Sequence, residues 1–206
     1  MTTSPHPPTL HDFGGFPEAL YRIRYPAPGD PALAAEVLEA LQKSGLQGTG
    51  DPRRGLDHGA WVPLHLMFPD AGVPVVQLSV QSDLGPAHHQ AIGRALRPLR
   101  ERGILVLGSG GATHDLGAFG AHAVGDPPAA YAAAFDAWLS AAVEAGREED
   151  LLDYARRAPE ARRNHPTPEH FLPLFVPLGA AGDAAGRRIH AAFTYGVISM
   201  AAFAWS

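Results

Sequence analysis

VPVVQLSV at residues 73–80 and ILVLG at residues 104–108 bracket the stretch whose reading decides the fold. Both runs are short, apolar and rich in branched aliphatic residues, the pattern of strands buried on both faces. Between them, from about Pro86 to Arg102, Ile92, Leu96 and Leu99 recur at helical spacing, which predicts a helix. Strand, helix and strand in that order imply a βαβ unit and a parallel pair. The expected fold class is therefore α/β: one domain over residues 1–206, with a central, mostly parallel or mixed β-sheet flanked by helices.

Outward from that unit the chain is mostly helical. Asp30-Pro31 opens a helix that runs to about Ser44 and closes at Gly45: a capping carboxylate, proline at the first helical position, and Leu33, Val37, Leu38 and Leu41 on one face. WVPLHLM at 61–67 is apolar but interrupted by Pro63, and fits either a short helix or an edge strand. Residues 128–145 predict an Ala-rich helix, 148–157 a charged one, and 189–204 one or two terminal strands. Residues 1–29 read as irregular and rich in Pro and Gly, and no repeat or composition break marks a second domain.

Composition narrows the function classes. A net charge of −5 gives no electrostatic reason to expect nucleic acid or an anionic membrane. No apolar run reaches the length of a membrane span, and MTTSPHPPTL is not a secretory signal, so a cytoplasmic protein is the default. Cysteine is absent, which removes disulfides and thiolate metal sites. Histidine, in contrast, occurs eleven times.

Three histidine contexts carry chemistry. The second strand runs into GSGGATHD at 108–115, where ligands bind in open α/β sheets. It matches neither a phosphate loop nor a dinucleotide fingerprint, and offers a bare backbone followed by His114 and Asp115. A plain strand-to-helix turn and a cleft histidine both explain it. DHGAW at 57–61 places His58 beside Asp57, which can orient the ring, and Trp61, which can wall a pocket. NHPTPEHFLPLF at 164–175 sets His165 and His170 where the core begins. There Thr167 and Pro168 predict a helix start with Phe171, Leu172, Leu174 and Phe175 facing inward. His88-His89 reads as a solvated first helical turn, and His65, His122 and His190 as structural. No GxSxG elbow is present, which disfavours a serine hydrolase.

Taken in order, HDFGGFP at 11–17, YPAPGDPALA at 25–34, DHGAW, VPVVQLSV, GSGGATHD and HPTPEHFLPL form a pattern. It resembles the class III extradiol ring-cleavage dioxygenases, in their DOPA 4,5-dioxygenase-like branch, from about Thr9 to the C-terminus. The resemblance implies a non-haem Fe(II) enzyme, with zinc found in some members, that opens a catechol ring with O₂. DOPA, caffeate and protocatechuate represent the implied substrate class, and homo-oligomeric assembly is compatible with it. By position, His170 looks like a metal ligand. His114 looks like the acid–base histidine beside the metal and is also counted as a ligand. His58 is similar to a second catalytic pocket histidine, and His165 to a lining residue. Asp57, Asp115 and Glu169 are the expected acceptors behind these rings.

The chain departs from the resemblance at its start. Relatives carry HGSP-like and SAHW-like segments with further histidine ligands, on and after a first strand, upstream of where this sequence begins. A valine GTG codon read as a start would explain the join, and a truncated paralogue is the alternative. The corresponding functional alternative is a non-catalytic or metal-buffering domain on the same scaffold. A histidine-site metal hydrolase is disfavoured, because Glu169 is expected on a different side of a helix from His170.

Overall fold

The computed structural model describes all 206 residues. They form two compact units, Met1–Ser79 and Val80–Ser206. No helix is long and apolar enough to cross a membrane.

The first unit holds α1 (Glu18–Arg22), α2 (Pro31–Lys43) and α3 (His58–Met67). Helix α2 forms as its sequence predicts. Asp30 accepts a hydrogen bond from the Leu33 amide at 2.9 Å, Pro31 occupies the first turn, and Ala34, Val37 and Leu41 are buried. Gly45 ends it with φ +73°, a left-handed turn that favours glycine. The ambiguous WVPLHLM run is helical, with Pro63 inside α3. Trp61 and Tyr25 anchor the core of this unit with Leu56 and Leu64. Each also satisfies its polar tip, Trp61 at Leu10 O (2.8 Å) and Tyr25 at Phe68 O (3.0 Å). Two isolated parallel bridges, Thr2 with Asp51 and Thr9 with Leu56, tie the N-terminal segment in.

In the second unit α4 (Pro86–Arg100) buries Ile92, Leu96 and Leu99, the expected face. It is followed by α5 (Leu116–Phe119), α6 (Ala130–Glu144), α7 (Glu148–Leu152), α8 (Tyr154–Arg157) and α9 (Ala161–Asn164). A 3₁₀ turn at Leu172–Leu174 leads into α10 (Phe175–Ala181). Helices α4 and α10 cross in backbone contact: a Cβ on Gly93 would sit 2.0 Å from Val176 O, and one on Gly179 2.1 Å from Gln90 O. The core is Phe135, Leu139, Leu151, Phe171, Leu172 and Phe175. Burying each such side chain contributes about 1.5–3 kcal/mol.

The sheet differs from expectation. The ladders are two short antiparallel pairs, β1 (Arg187–His190) with β4 (Ala202–Ala204) and β2 (Phe193–Thr194) with β3 (Ile198–Ser199). Neither 73–80 nor 104–108 belongs to a ladder, and neither contains a buried residue. The protein is α/β with a small, open sheet component, and the parallel pair is absent. The backbone of 73–79 is engaged elsewhere: Val75 N–H donates to Pro28 O, and Gln77 exchanges bonds with Thr2. Leu105 and Leu107, expected inside, are 64% and 45% exposed. A short apolar run signals burial but does not supply the partner that a ladder needs.

A buried polar cluster ties the C-terminal strands to the rest of the second unit. Arg188 pairs with both oxygens of Asp136 (2.9 and 3.1 Å), and the Ser199 hydroxyl donates to the same carboxylate. The Ser199 amide donates to the Thr113 hydroxyl, which donates to Val197 O at 2.8 Å.

Candidate functional site

The structure brings His114 and His170 together. Their rings stack with centroids 3.4 Å apart and planes 14° from parallel. His114 lies in the loop 108–115. His170 lies in the turn before the 3₁₀ segment, not at a helix start: Pro168 O accepts from the Phe171 and Leu172 amides, and Thr167 caps nothing. Its hydroxyl instead donates to Glu169 Oε1 at 2.7 Å.

Main-chain bonds hold the two loops edge to edge. Gly111 N–H donates to His170 O and His114 N–H to Asn164 O, both at 2.8 Å. Close approach requires the glycines, since a Cβ on Gly108 or Gly110 would meet Pro173 O at 2.3 Å or His170 O at 2.1 Å. Burial, then the neighbouring His170, lowers the pKa of His114, against the pull of Glu169. Glu169 Oε1 lies 3.2 Å from His170 Nδ1. Burial opposes ionisation of this carboxyl, but the Thr167 hydroxyl and His170 outweigh it and lower its pKa.

Of the three expected acceptors, Glu169 alone touches one of the site imidazoles. The turn, replacing the expected helix, puts it on the same side as His170. Asp115 caps α5 through the Ala118 amide and accepts the Tyr131 hydroxyl at 2.6 Å. Burial and that carboxylate push the Tyr131 pKa up to about 12. Arg163 lies over the Tyr131 ring, 3.6 Å from its centroid. Asp57 pairs with Arg54 at 2.8 Å.

His58 stands in the first unit and is oriented by Asp12, not by Asp57. Asp12 Oδ1 accepts from His58 Nδ1 at 2.8 Å and from its amide at 3.0 Å. Despite the opposing effect of burial, these bonds lower the Asp12 pKa. Phe13 packs its edge against the His58 ring. The contact spans 46 positions, and no local spacing in the sequence marks it.

Two further histidines depart from expectation. His89 is 1% exposed, not solvated: Nδ1–H donates to Gly85 O and Nε2 accepts the Gln81 amide. Its neighbour His88 is half-buried and hydrogen-bonds the Gln81 side chain. His165 is 5% exposed, packed among Phe135, Tyr154 and Phe171, and burial pushes its pKa down to about 4. Asn164 and Thr113 are fully buried; both fall within the motifs at 164–175 and 108–115, but neither has a role legible in the sequence.

The donors fit a resident metal ion poorly. An imidazole lone pair lies in its ring plane, so an ion bound to one of two stacked rings sits well outside the plane of the other. No group of three or more His, Cys, Asp or Glu side chains is gathered to hold an ion.

The sequence profile described as the catalytic LigB subunit of aromatic ring-opening dioxygenase matches residues 1–204. The chain is similar to 4,5-DOPA dioxygenase extradiol of Beta vulgaris, 46% identical over 197 residues, covering 95% of this chain and 73% of that protein. The Escherichia coli K12 protein of the same name is 42% identical over 185 residues, covering 87% of this chain and 66% of that one. In fold it resembles the crystal structure of an uncharacterized E. coli K12 protein, with TM-score 0.78 and 33% identity over 98% of this chain and 81% of that chain. The chain thus spans about two thirds to three quarters of the length of these curated relatives.

Proposed function

We propose a function from one premise: the chain belongs to the class III extradiol, LigB-type family of aromatic ring-opening dioxygenases. Within that lineage these 206 residues form a weakly metal-binding domain that does not by itself turn over a catechol. The observation that carries this reading is the face-to-face pair of His114 and His170: the one carboxylate beside it, Glu169, is engaged by His170 Nδ1, and no group of three His, Cys, Asp or Glu converges to hold an ion. Such a pair offers a metal one good donor at a time, and first-row divalent ions bind tightly only where several converge.

The second reading is extradiol cleavage of a DOPA-, caffeate- or protocatechuate-like catechol by the chain itself, with Fe(II), or zinc, and O₂. The names and identities of its relatives support it. There His170 and His114 are the metal-facing residues. His114, with its depressed pKa, is neutral near pH 7 and so able to take a catechol proton at a ring nitrogen. His58 is the second catalytic histidine of that reading.

Anaerobic Fe(II) titration followed by exposure to O₂ with each catechol separates the two. Weak, sub-stoichiometric iron and no yellow semialdehyde absorbance are expected. Tight binding near one equivalent, with turnover lost in His170→Ala, would overturn the first reading in favour of the second.

A further inference from the structure

The loop that carries His114 has neither helix nor strand over 108–114, so its shape depends on what it is bonded to. Between the two main-chain bonds that zip it to residues 164–170 lies a third, made by a side chain. His165 Nε2 approaches Ala112 O at 3.0 Å. A carbonyl only accepts, so the ring must carry its proton on Nε2, leaving Nδ1 as a bare lone pair. That Nδ1 is buried and has no partner.

An unmatched buried acceptor is destabilising, because it has given up its hydrogen bond to water. A phenylalanine among the rings of Phe135, Tyr154 and Phe171 would fill the same space without that cost. Packing alone does not select histidine here; the one thing the imidazole adds is the donor to Ala112, two residues before His114. We propose that His165 is a positioning residue. Its Nε2–H bond to the Ala112 carbonyl holds the glycine-rich loop where the His114 ring lies flat on His170.

This inference rests on His114 and His170 being the working pair of the proposed function, but needs neither metal nor turnover. It can therefore fail while the reading of function stands, and the reverse. The test is NMR of the labelled full chain, which reports the His165 tautomer and the mutual upfield ring-current shifts of the His114 and His170 ring protons. In the parent chain, an Nε2–H tautomer slow to exchange with solvent is expected. His165→Phe should stay folded by near-ultraviolet circular dichroism yet lose most of the ring-current shift. His165→Gln, whose amide can still donate to Ala112, should restore most of it.

An Nδ1–H tautomer in the parent would overturn the proposal. So would a Phe variant that keeps both shifted signals, or a Gln variant that loses them as fully as Phe. If the Phe variant does not fold, the parent tautomer and the Gln variant still decide.

Discussion

Replacing Gly110 by alanine tests whether the two histidine loops are held by backbone contact. The added Cβ would lie 2.1 Å from His170 O, with the carbonyl carbon at 3.1 Å and the Pro173 ring at 3.2 Å. Ordinary contacts lie near 3.5 Å, so the loops must separate by more than about 1 Å. The obstacle is main chain, which yields less readily than the end of a long side chain. Overpacking of this kind costs about 1–3 kcal/mol, and separation of the loops weakens the Gly111–His170 bond by about 1 kcal/mol more. Urea unfolding should therefore show Gly110→Ala less stable by about 2–4 kcal/mol, the sum of those two contributions. Gly120→Ala, where nothing lies within 4 Å of the new methyl, is the control and should change little. An unfolding midpoint for Gly110→Ala equal to that of the control would refute the claim that this close approach shapes the site.

Asp136→Ala leaves Arg188 and Ser199 without their shared carboxylate, and should cost about 3 kcal/mol in thermal or urea unfolding. Acid should destabilise the second unit through His165, whose folded pKa of about 4 lies below its ordinary 6.5. Between those values the unfolded chain binds the proton and the folded chain does not. The contribution is thus complete above pH 6.5 and is lost as pH falls towards 4, at up to about 1.4 kcal/mol per pH unit. His165→Phe should flatten that part of the stability–pH curve, and an unchanged slope would contradict a neutral buried ring. Leu105→Lys should alter stability by no more than about 0.5 kcal/mol, because Leu105 is exposed in this chain. A loss of several kcal/mol would show that residues 104–108 are buried as a strand after all.

What the sequence determined by itself is local or patterned. Asp30, Pro31 and Gly45 mark both ends of α2 because caps and left-handed turns act within a few residues. Ile92, Leu96 and Leu99 identify the buried face of α4 because a helix repeats its own geometry. The family was legible from six short motifs in order, and those motifs singled out His114 and His170, which the fold then stacks. Tertiary structure alone decided the rest, where the outcome depends on partners remote in sequence. Whether VPVVQLSV and ILVLG pair depends on the segments that engage their backbones and faces, and 73–79 engages Pro28 and Thr2. His58 is oriented by Asp12 across 46 positions, while the adjacent Asp57 turns to Arg54. In sequence His89 reads as a solvated first-turn residue and His165 as a lining residue where the core begins. The fold buries His89 with its ring nitrogens on nearby Gly85 O and the Gln81 amide, and buries His165 with Nε2 on Ala112 O, 53 positions away, and Nδ1 unmatched. Hydrogen bonds act over about 3 Å in space, whatever the separation along the chain, and sequence spacing carries no record of that distance.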